Sequence, residues 1–287
     1  MNILSFGDRD RSVRISLFGQ TDVGRTREHN EDCYLVVDLS PPSPTLTSKV
    51  REHTLGEKGS LMVVADGMGG AMAGEVASQM ATTVIFDRMV STWVHDRRTD
   101  LRSFTTCLKE AVEVANDEIH SRSVADPNLT GMGTTLTAVG VLGRDLTFAQ
   151  VGDSRGYLVR KGQVEQVTKD QSLTRRLIDE GQMTEADAEN SPGKNIILQA
   201  LGPSAEVDVV VSHRQAFRGD TVVLCSDGLS GLVSGEEIRD TVDRCQDPAV
   251  ACEDLVELAN SRGGPDNITV IVARLEGPGL KEPRDGS

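Results

Sequence analysis

The sequence predicts an α+β fold, a four-layer α/β/β/α sandwich in which two mainly antiparallel sheets are flanked by helices. Three observations carry this. From Gly133 the chain reads T-T-L-T-A-V-G-V, L-T-F-A-Q-V-G-D, S-R-G-Y-L-V-R and Q-V-E-Q-V, separated by short turns containing Gly or Asp, which is the pattern of an antiparallel meander. The elements are grouped as strands, two helices, strands, a flap, strands, two helices and a last strand, with no β-α-β alternation. The helical stretches are one-sided in their apolar residues, so each offers one face to cover a sheet.

Taken in order, residues 14–23 alternate well enough for a first strand and residues 33–37 give a second. Residues 39–59 open S-P-P-S-P and continue with hardly any apolar pattern, which reads as a mobile insertion loop. A buried strand at 61–65 leads into a glycine-dense turn. Residues 75–90 then form a helix, and Leu108, Ala111, Val112, Ala115 and Ile119 share one face of another. After the meander, residues 172–180 make a short helix closed by Gly181, and Thr184 with Asp187 resembles a capping box that opens the next. Polar and small residues mark 172–203 as a flap. Strands follow at 207–211 and 221–225. Ser234 and Glu237 form a second capping box leading into Ile238, Val242 and Cys245. Asp247-Pro248 starts a helix lined by Ala251, Leu255, Leu258 and Ala259, with Asp as N-cap and Pro at the first helical position. The last strand covers 268–275. The expected organisation is an N-terminal extension at 1–13, one domain at 14–275 and a disordered tail at 276–287.

The 287 residues carry 30 Lys and Arg against 44 Asp and Glu, a formal net charge of -14. Nucleic acid and anionic membrane surfaces bind clustered basic residues, so both partners are excluded. The longest apolar runs are of strand length, far short of the roughly 20 residues that span a bilayer, and Asp8 and Asp10 stand where a signal peptide would be apolar. A cytoplasmic monomer is expected. Five scattered cysteines with no C-x-x-C pair read as reduced thiols packed in the core.

The chemistry centres on L-M-V-V-A-D-G-M-G-G-A-M-A-G-E-V-A-S at 61–78. A buried strand delivers the Asp66 carboxylate at its end. Gly67, Gly69 and Gly70 then let the backbone turn sharply and bring a carbonyl oxygen against a ligand. A cation is the natural occupant, although an ordinary strand-to-helix connection would use the same glycines. Asp153 in Q-V-G-D-S-R, Asp227 in L-C-S-D-G-L, Asp266 in G-G-P-D-N-I-T and Asp32 in N-E-D also sit at strand termini. Surface turns favour Asp in any protein. Several carboxylates gathered at one end of a sandwich, however, repel unless cations neutralise them. Oxygen-only ligands imply magnesium or manganese, and the lack of Cys/His spacing argues against zinc.

Six motifs in one order now carry a resemblance: R-x-x-x-E-D at 27–32, D-G-M-G-G with G-E-x-A-S at 66–78, G-T-T at 133–135, G-D-S-R at 152–155, S-D-G-L at 226–229 and D-N-I-T at 266–269. Together they resemble the metal-dependent type-2C protein serine/threonine phosphatases, in particular the bacterial branch, across about residues 14–275. The resemblance implies hydrolysis of phosphoserine and phosphothreonine by a water bridging two Mn2+ or Mg2+ ions. It implies that Asp66 bridges the two metals, with the Gly67 carbonyl on the first, Asp227 and Asp266 on the second, and Glu31 holding metal-bound water. It implies a third, weaker position at Asp153 with Asp227, and an Arg27 that clamps the phosphoryl oxygens with its planar fork. Asp32 has two readings, orienting the arginine or capping its strand.

The sequence departs from the family's pattern where relatives carry histidine. Met68 follows the Asp-Gly, Ala71 stands where many bacterial members have histidine, and D-Q-S replaces D-H-S after Asp170. The proton donor to the leaving oxygen is therefore unassigned, and Met68 is read as a packing residue. The expected partners are phosphorylated proteins, a Ser/Thr kinase or its substrates. Two other classes of function stay beside this one: a catalytically weak, phosphatase-like signalling module that binds phosphoproteins, and a hydrolase of small phosphoesters.

Overall fold

The computed structural model describes residues 12–40, 51–70, 72–189, 191–193 and 196–283. Along the chain these form β1 (Arg14–Asp22), β2 (Asp32–Asp38), β3 (Glu52–Thr54), β4 (Ser60–Met68) and α1 (Ala73–Met89), which runs on through a π-helical turn at Val90–Val94. Then come α2 (Leu101–Ala125), β5 (Gly133–Thr134), β6 (Leu136–Leu142), β7 (Asp145–Val151), β8 (Arg155–Arg160) and β9 (Gln163–Gln166). The flap holds α3 (Leu173–Asp179) and α4 (Glu185–Glu189), and the chain closes with β10 (Val210–Gln215), β11 (Thr221–Cys225), α5 (Asp227–Ser230), α6 (Gly235–Arg244), α7 (Pro248–Ser261) and β12 (Ile268–Glu276).

Two sheets result, ordered β3-β1-β12-β11-β8-β9 and β10-β7-β6-β4-β2, with β5 pairing the end of β4. The named strands pair antiparallel throughout. Side chains alternate across a strand, so a strand buried on both faces must be apolar at every position. That is why 61–65 reads as an unbroken apolar run. Leu61, Val63 and Ala65 face a core shared with α1 and α2, while Met62 and Val64 face the space between the sheets. In β12 the same division puts Ile268, Val270 and Val272 against α6 and α7, and Ile271, Ala273 and Leu275 between the sheets. Three apolar layers therefore bind four structural layers, each fully buried Leu, Ile or Val contributing about 1.5–3 kcal/mol relative to exposure. The expected sandwich is the observed fold. All five cysteines are free, four of them buried.

The helix boundaries follow their caps. Asp100 accepts from Ser103 N–H at the start of α2, Ser234 and Glu237 complete their capping box, and Asp247 caps α7 with Pro248 in its first turn. Thr184 and Asp187 also bond reciprocally, side chain to backbone.

Three expectations need correction. Of the loop expected at 39–59, residues 41–50 lie outside the described residues, while 52–54 form an edge strand registered on β1, and Lys58 lies 4.6 Å over the Trp93 ring and donates to the Asp96 and Arg98 carbonyls. The strand expected at 207–211 begins at Val210, because Val207 and Val209 pack onto the helix-side core before pairing with β7 starts. The tail expected to be disordered is held as far as Lys281. Glu276 belongs to β12, Leu280 is 3% exposed, Gly279 N–H donates to Ser12 O, and Arg218 N–H donates to Lys281 O. The extension expected at 1–13 and the last four residues of the tail lie, for 1–11 and 284–287, outside the described residues.

Candidate active site

Antiparallel pairing brings the residues singled out by sequence to one end of the sandwich. Asp66 near the end of β4 stands opposite Asp32 at the start of β2. β7 ends at Val151, two residues before Asp153, beside the start of β6. In the other sheet β11 ends just before Asp227, β12 begins just after Asp266, and β1 ends at Asp22 opposite Ile268, leading into the loop with Arg27. The Ser226 hydroxyl donates to Asp32 Oδ2 at 2.8 Å and ties the two sheet ends together.

Asp66 and Glu31 are held by contacts to their backbone. The Asp66 carbonyl accepts from Thr134 Oγ1 and Thr135 N–H, and Thr135 Oγ1 accepts from Asp66 N–H. Gly67 N–H donates to Glu31 O. Glycine is required at two places here by close approach: a Cβ on Gly67 would lie 2.3 Å from the Gly74 carbonyl, and one on Gly74 would lie 1.9 Å from Glu31 Oε2. Ser78 Oγ donates to the Glu31 carbonyl at 2.6 Å. The run G-E-x-A-S thus seats Glu31 against the first turn of α1. Asn267 gathers the Arg27 loop, accepting from Glu31 N–H and donating to the carbonyls of Val23 and His29. Arg27 is half exposed and donates from Nη2 to Asp266 Oδ2 at 2.8 Å.

Burial strips these acids of water and places them near one another, so their carboxyl groups resist ionisation. Asp66 is raised well above the usual carboxylate range, first by burial and then by Asp32, Asp227 and Asp153. Asp153 is pushed up to about 7 by burial, with Asp227 and Asp170 adding to it. Asp32 is also pushed up to about 7 by burial, against the hydrogen bonds from Thr269 and Ser226. Asp227 is raised by burial and Asp266, and Glu31 by burial against the pull of Arg27. For Asp66 and Asp227 alike, burial is the largest cause. Among the described residues no three acidic, histidine or cysteine side chains close on a single point as a ready-made cage. Asp66, Asp153 and Asp227 instead act on one another through their charges, while Asp266 pairs with Arg27. Two buried oxygens, Asp32 Oδ1 and Asp153 Oδ1, make no hydrogen bond. Arg27, Asp153, Asp227 and Asp266 border a groove of about 1000 Å³ that runs between the flap residues Arg175 and Ile178 and the Leu232–Val233 segment.

Residues 51–259 match the protein phosphatase 2C family model. The chain belongs to the protein phosphatase 2C family. It is 41% identical over 214 residues to the serine/threonine protein phosphatase PstP of Mycobacterium tuberculosis, covering 74% of this chain and 40% of PstP. The chain thus spans less than half the length of that relative. It is 35% identical over 268 residues to the serine/threonine phosphatase Stp of Listeria welshimeri, covering 93% of this chain and 98% of Stp. The solved catalytic domain of PstP in complex with two manganese ions superposes with a TM-score of 0.73 at 35% identity, over 92% of this chain and 99% of that one.

Within this phosphatase 2C chain, Arg27, Glu31, Asp66, Gly67, Asp153, Asp227 and Asp266 lie at the same end of the sandwich. Met68 ends β4 opposite Gly133, and Ala71 is outside the described residues. No histidine lines the groove among the described residues. The sequence reading assigned no role to Thr134, Thr135, Ser78, Ser226 or Asn267, which hold the acids in place. Their signal was present in the spellings G-T-T, G-E-x-A-S, S-D-G-L and D-N-I-T, each of which contains a glycine or an acid.

Proposed function

We propose that the chain is a metal-dependent protein serine/threonine phosphatase hydrolysing phosphoserine and phosphothreonine in proteins. The observation that carries this reading is that Asp153, Asp227 and Asp266 border one groove with Arg27, while the buried Asp66 feels the charges of Asp227 and Asp153. The donor set is oxygen only, which suits Mn2+ or Mg2+. The unpartnered Asp153 Oδ1 and the raised carboxyl groups are what a buried acidic cluster built for cations presents. In this reading Asp66, the Gly67 carbonyl, Asp227 and Asp266 hold two ions, with Glu31 beside them, and Asp153 with Asp227 holds a third more weakly. Bound there, the ions supply Lewis acidity and an activated water nucleophile.

The chain's own residues bind and orient. Arg27 presents a permanently charged fork at the groove, and Asp266 aims it through their 2.8 Å contact. The flap and the Leu232–Val233 segment flank the phosphorylated residue and receive the surrounding polypeptide. A groove of about 1000 Å³ that joins charged side chains such as Arg175 and Glu185 to apolar ones such as Ile178 and Leu232 suits a protein segment better than a small phosphoester. Natural partners in this reading are phosphoproteins, a Ser/Thr kinase or its substrates, met in the cytoplasm. Among the described residues no helix is long and apolar enough to cross a membrane.

The test is phosphate release from phosphoserine, phosphothreonine and phosphotyrosine peptides with manganese and with chelator. We expect release from the first two only with metal, and none from Asp66→Asn or Asp227→Asn although both stay folded. Full turnover in excess chelator, or in either variant, overturns the reading. Tight peptide binding without release would favour the signalling module instead.

A further inference from the structure

The G-D-S-R turn is held from outside its own strand by the residue that leads into the flap. Gln171 stands immediately before the flap, and its backbone N–H donates to the Gly152 carbonyl at 2.9 Å. Its side-chain Oε1 accepts from Gly152 N–H at 2.7 Å. One residue thus reaches both backbone groups of the position before Asp153, and Gln150 Nε2 on the turn's own strand adds a second donor to the Gly152 carbonyl at 2.9 Å. Gly152 is buried and takes φ +97°, a left-handed conformation that only glycine adopts freely, so the turn depends on these bonds rather than on water.

The same glutamine reaches in two further directions. Its Nε2 donates to the Asp208 carbonyl at 3.2 Å, and its own carbonyl accepts from Leu198 N–H at 2.8 Å, where the flap returns. Three separate segments therefore meet on one residue: the Asp153 turn and the lead into β10 on its side-chain amide, the flap's return on its backbone carbonyl. Asp153 itself is 8% exposed, and its Oδ1 has no hydrogen-bond partner. A carboxylate left without a local partner takes its direction from its backbone. That backbone is fixed one residue away by Gln171.

We propose that Gln171 is a positioning residue that orients Asp153 through Gly152, sets the affinity of the weaker cation position and couples it to the flap. The proposal rests on the reading that Asp153 holds a cation. Glutamine suits the role because its amide offers an acceptor and a donor on opposite sides. A partner that orients a metal ligand in this way is typically worth about 10–100-fold in metal affinity. Coupling is reciprocal, so occupancy of the weak position should also steady the flap's return.

The experiment titrates the full chain with Mn2+ by calorimetry and by the electron paramagnetic signal of free Mn2+, with hydrogen exchange measured across residues 196–201. Wild type, Asp153→Asn, Gln171→Met and Gln171→Glu are compared. Asp153→Asn should lose the weak binding phase. Gln171→Met keeps the volume but lacks the amide, and should weaken that phase about tenfold or more while the tighter phase is unchanged. Gln171→Glu keeps an acceptor for Gly152 N–H and should hold the weak phase at wild-type strength or tighter. In wild type, filling the weak phase should slow exchange at 196–201, and in Gln171→Met it should not. A weak phase within about twofold of wild type in Gln171→Met, or equal losses in the Met and Glu variants, overturns the inference while leaving the Asp153 reading intact. A weak phase that survives Asp153→Asn overturns both.

Discussion

Burial raises the carboxyl groups of Asp66 and Asp227 together, and this has a consequence for the metal-free protein. Asp32 and Asp153 are each pushed up to about 7, and Asp66, Asp227 and Glu31 move the same way, all chiefly through burial. In the unfolded chain such groups titrate near about 4. Between those limits the folded protein binds more protons than the unfolded chain, so this stabilisation is present in acid and is lost as pH rises through the folded values. His53, lowered by burial, works in the opposite sense as a single group. Protein in chelator should therefore melt higher at roughly pH 5.5 than at roughly pH 8. Saturating manganese should reverse that order, since cations bind the deprotonated carboxylates. A higher melting temperature at the alkaline pH in chelator would contradict the account. At this scale the sequence made the acids legible, because a carboxylate between an apolar run and a glycine is an unusual local pattern. Asn267 was not legible in the same way. Its partners Glu31 and His29 lie more than 230 positions away, and no local periodicity encodes that distance.

The elements were legible wherever burial forces a pattern. β11 covers the expected residues because both its faces are buried, and α2 was recognised by its apolar face, although Asp100 starts it earlier than that face suggests. Of the four edge strands, β2 and β9 were read from the sequence, whereas β3 was not and β10 was read only in part. β3 is Glu-His-Thr and exists through its pairing with β1, while β10, on the edge beside β7, has no apolar alternation of its own. The flap is the element whose removal separates recognition from chemistry. Its entrance and exit are anchored near the acids, with Leu201 bridged to Thr134 and Gly202 N–H donating to Asn116 Oδ1, but α3 and α4 touch the groove only at its far wall. Replacing residues 173–195 with a short linker, while keeping Gln171 and 196–205, should lower kcat/KM on a phosphoprotein about tenfold more than on a small aryl phosphate, the equivalent of ~1.4 kcal/mol of lost binding. Equal losses on both substrates would count against the recognition role. The capping boxes matter to the same design, because they set where α4 and α6 begin beside the groove without needing any tertiary contact.

At the scale of the whole molecule, antiparallel topology explains why motifs scattered from residue 27 to residue 269 meet. Each strand that runs toward the site is followed by one that runs away, so strand ends and strand starts alternate at the same edge and both sheets contribute acids to it. The grouping of strands announced this sandwich in the sequence. Which of its two ends carries the chemistry became readable only through the glycine-flanked acids. The opposite end is closed differently: β1 starts there, β12 finishes there, and residues 277–281 fold across it, burying Leu280 and meeting Ser12, Arg144 and Arg218. A polypeptide or surface joined to either end of this core would consequently sit behind the molecule, with the full length of the strands between the tether and the groove. Immobilised on beads through a linker after residue 283, the protein should turn over soluble phosphopeptide at its free-solution rate, with the groove facing outward.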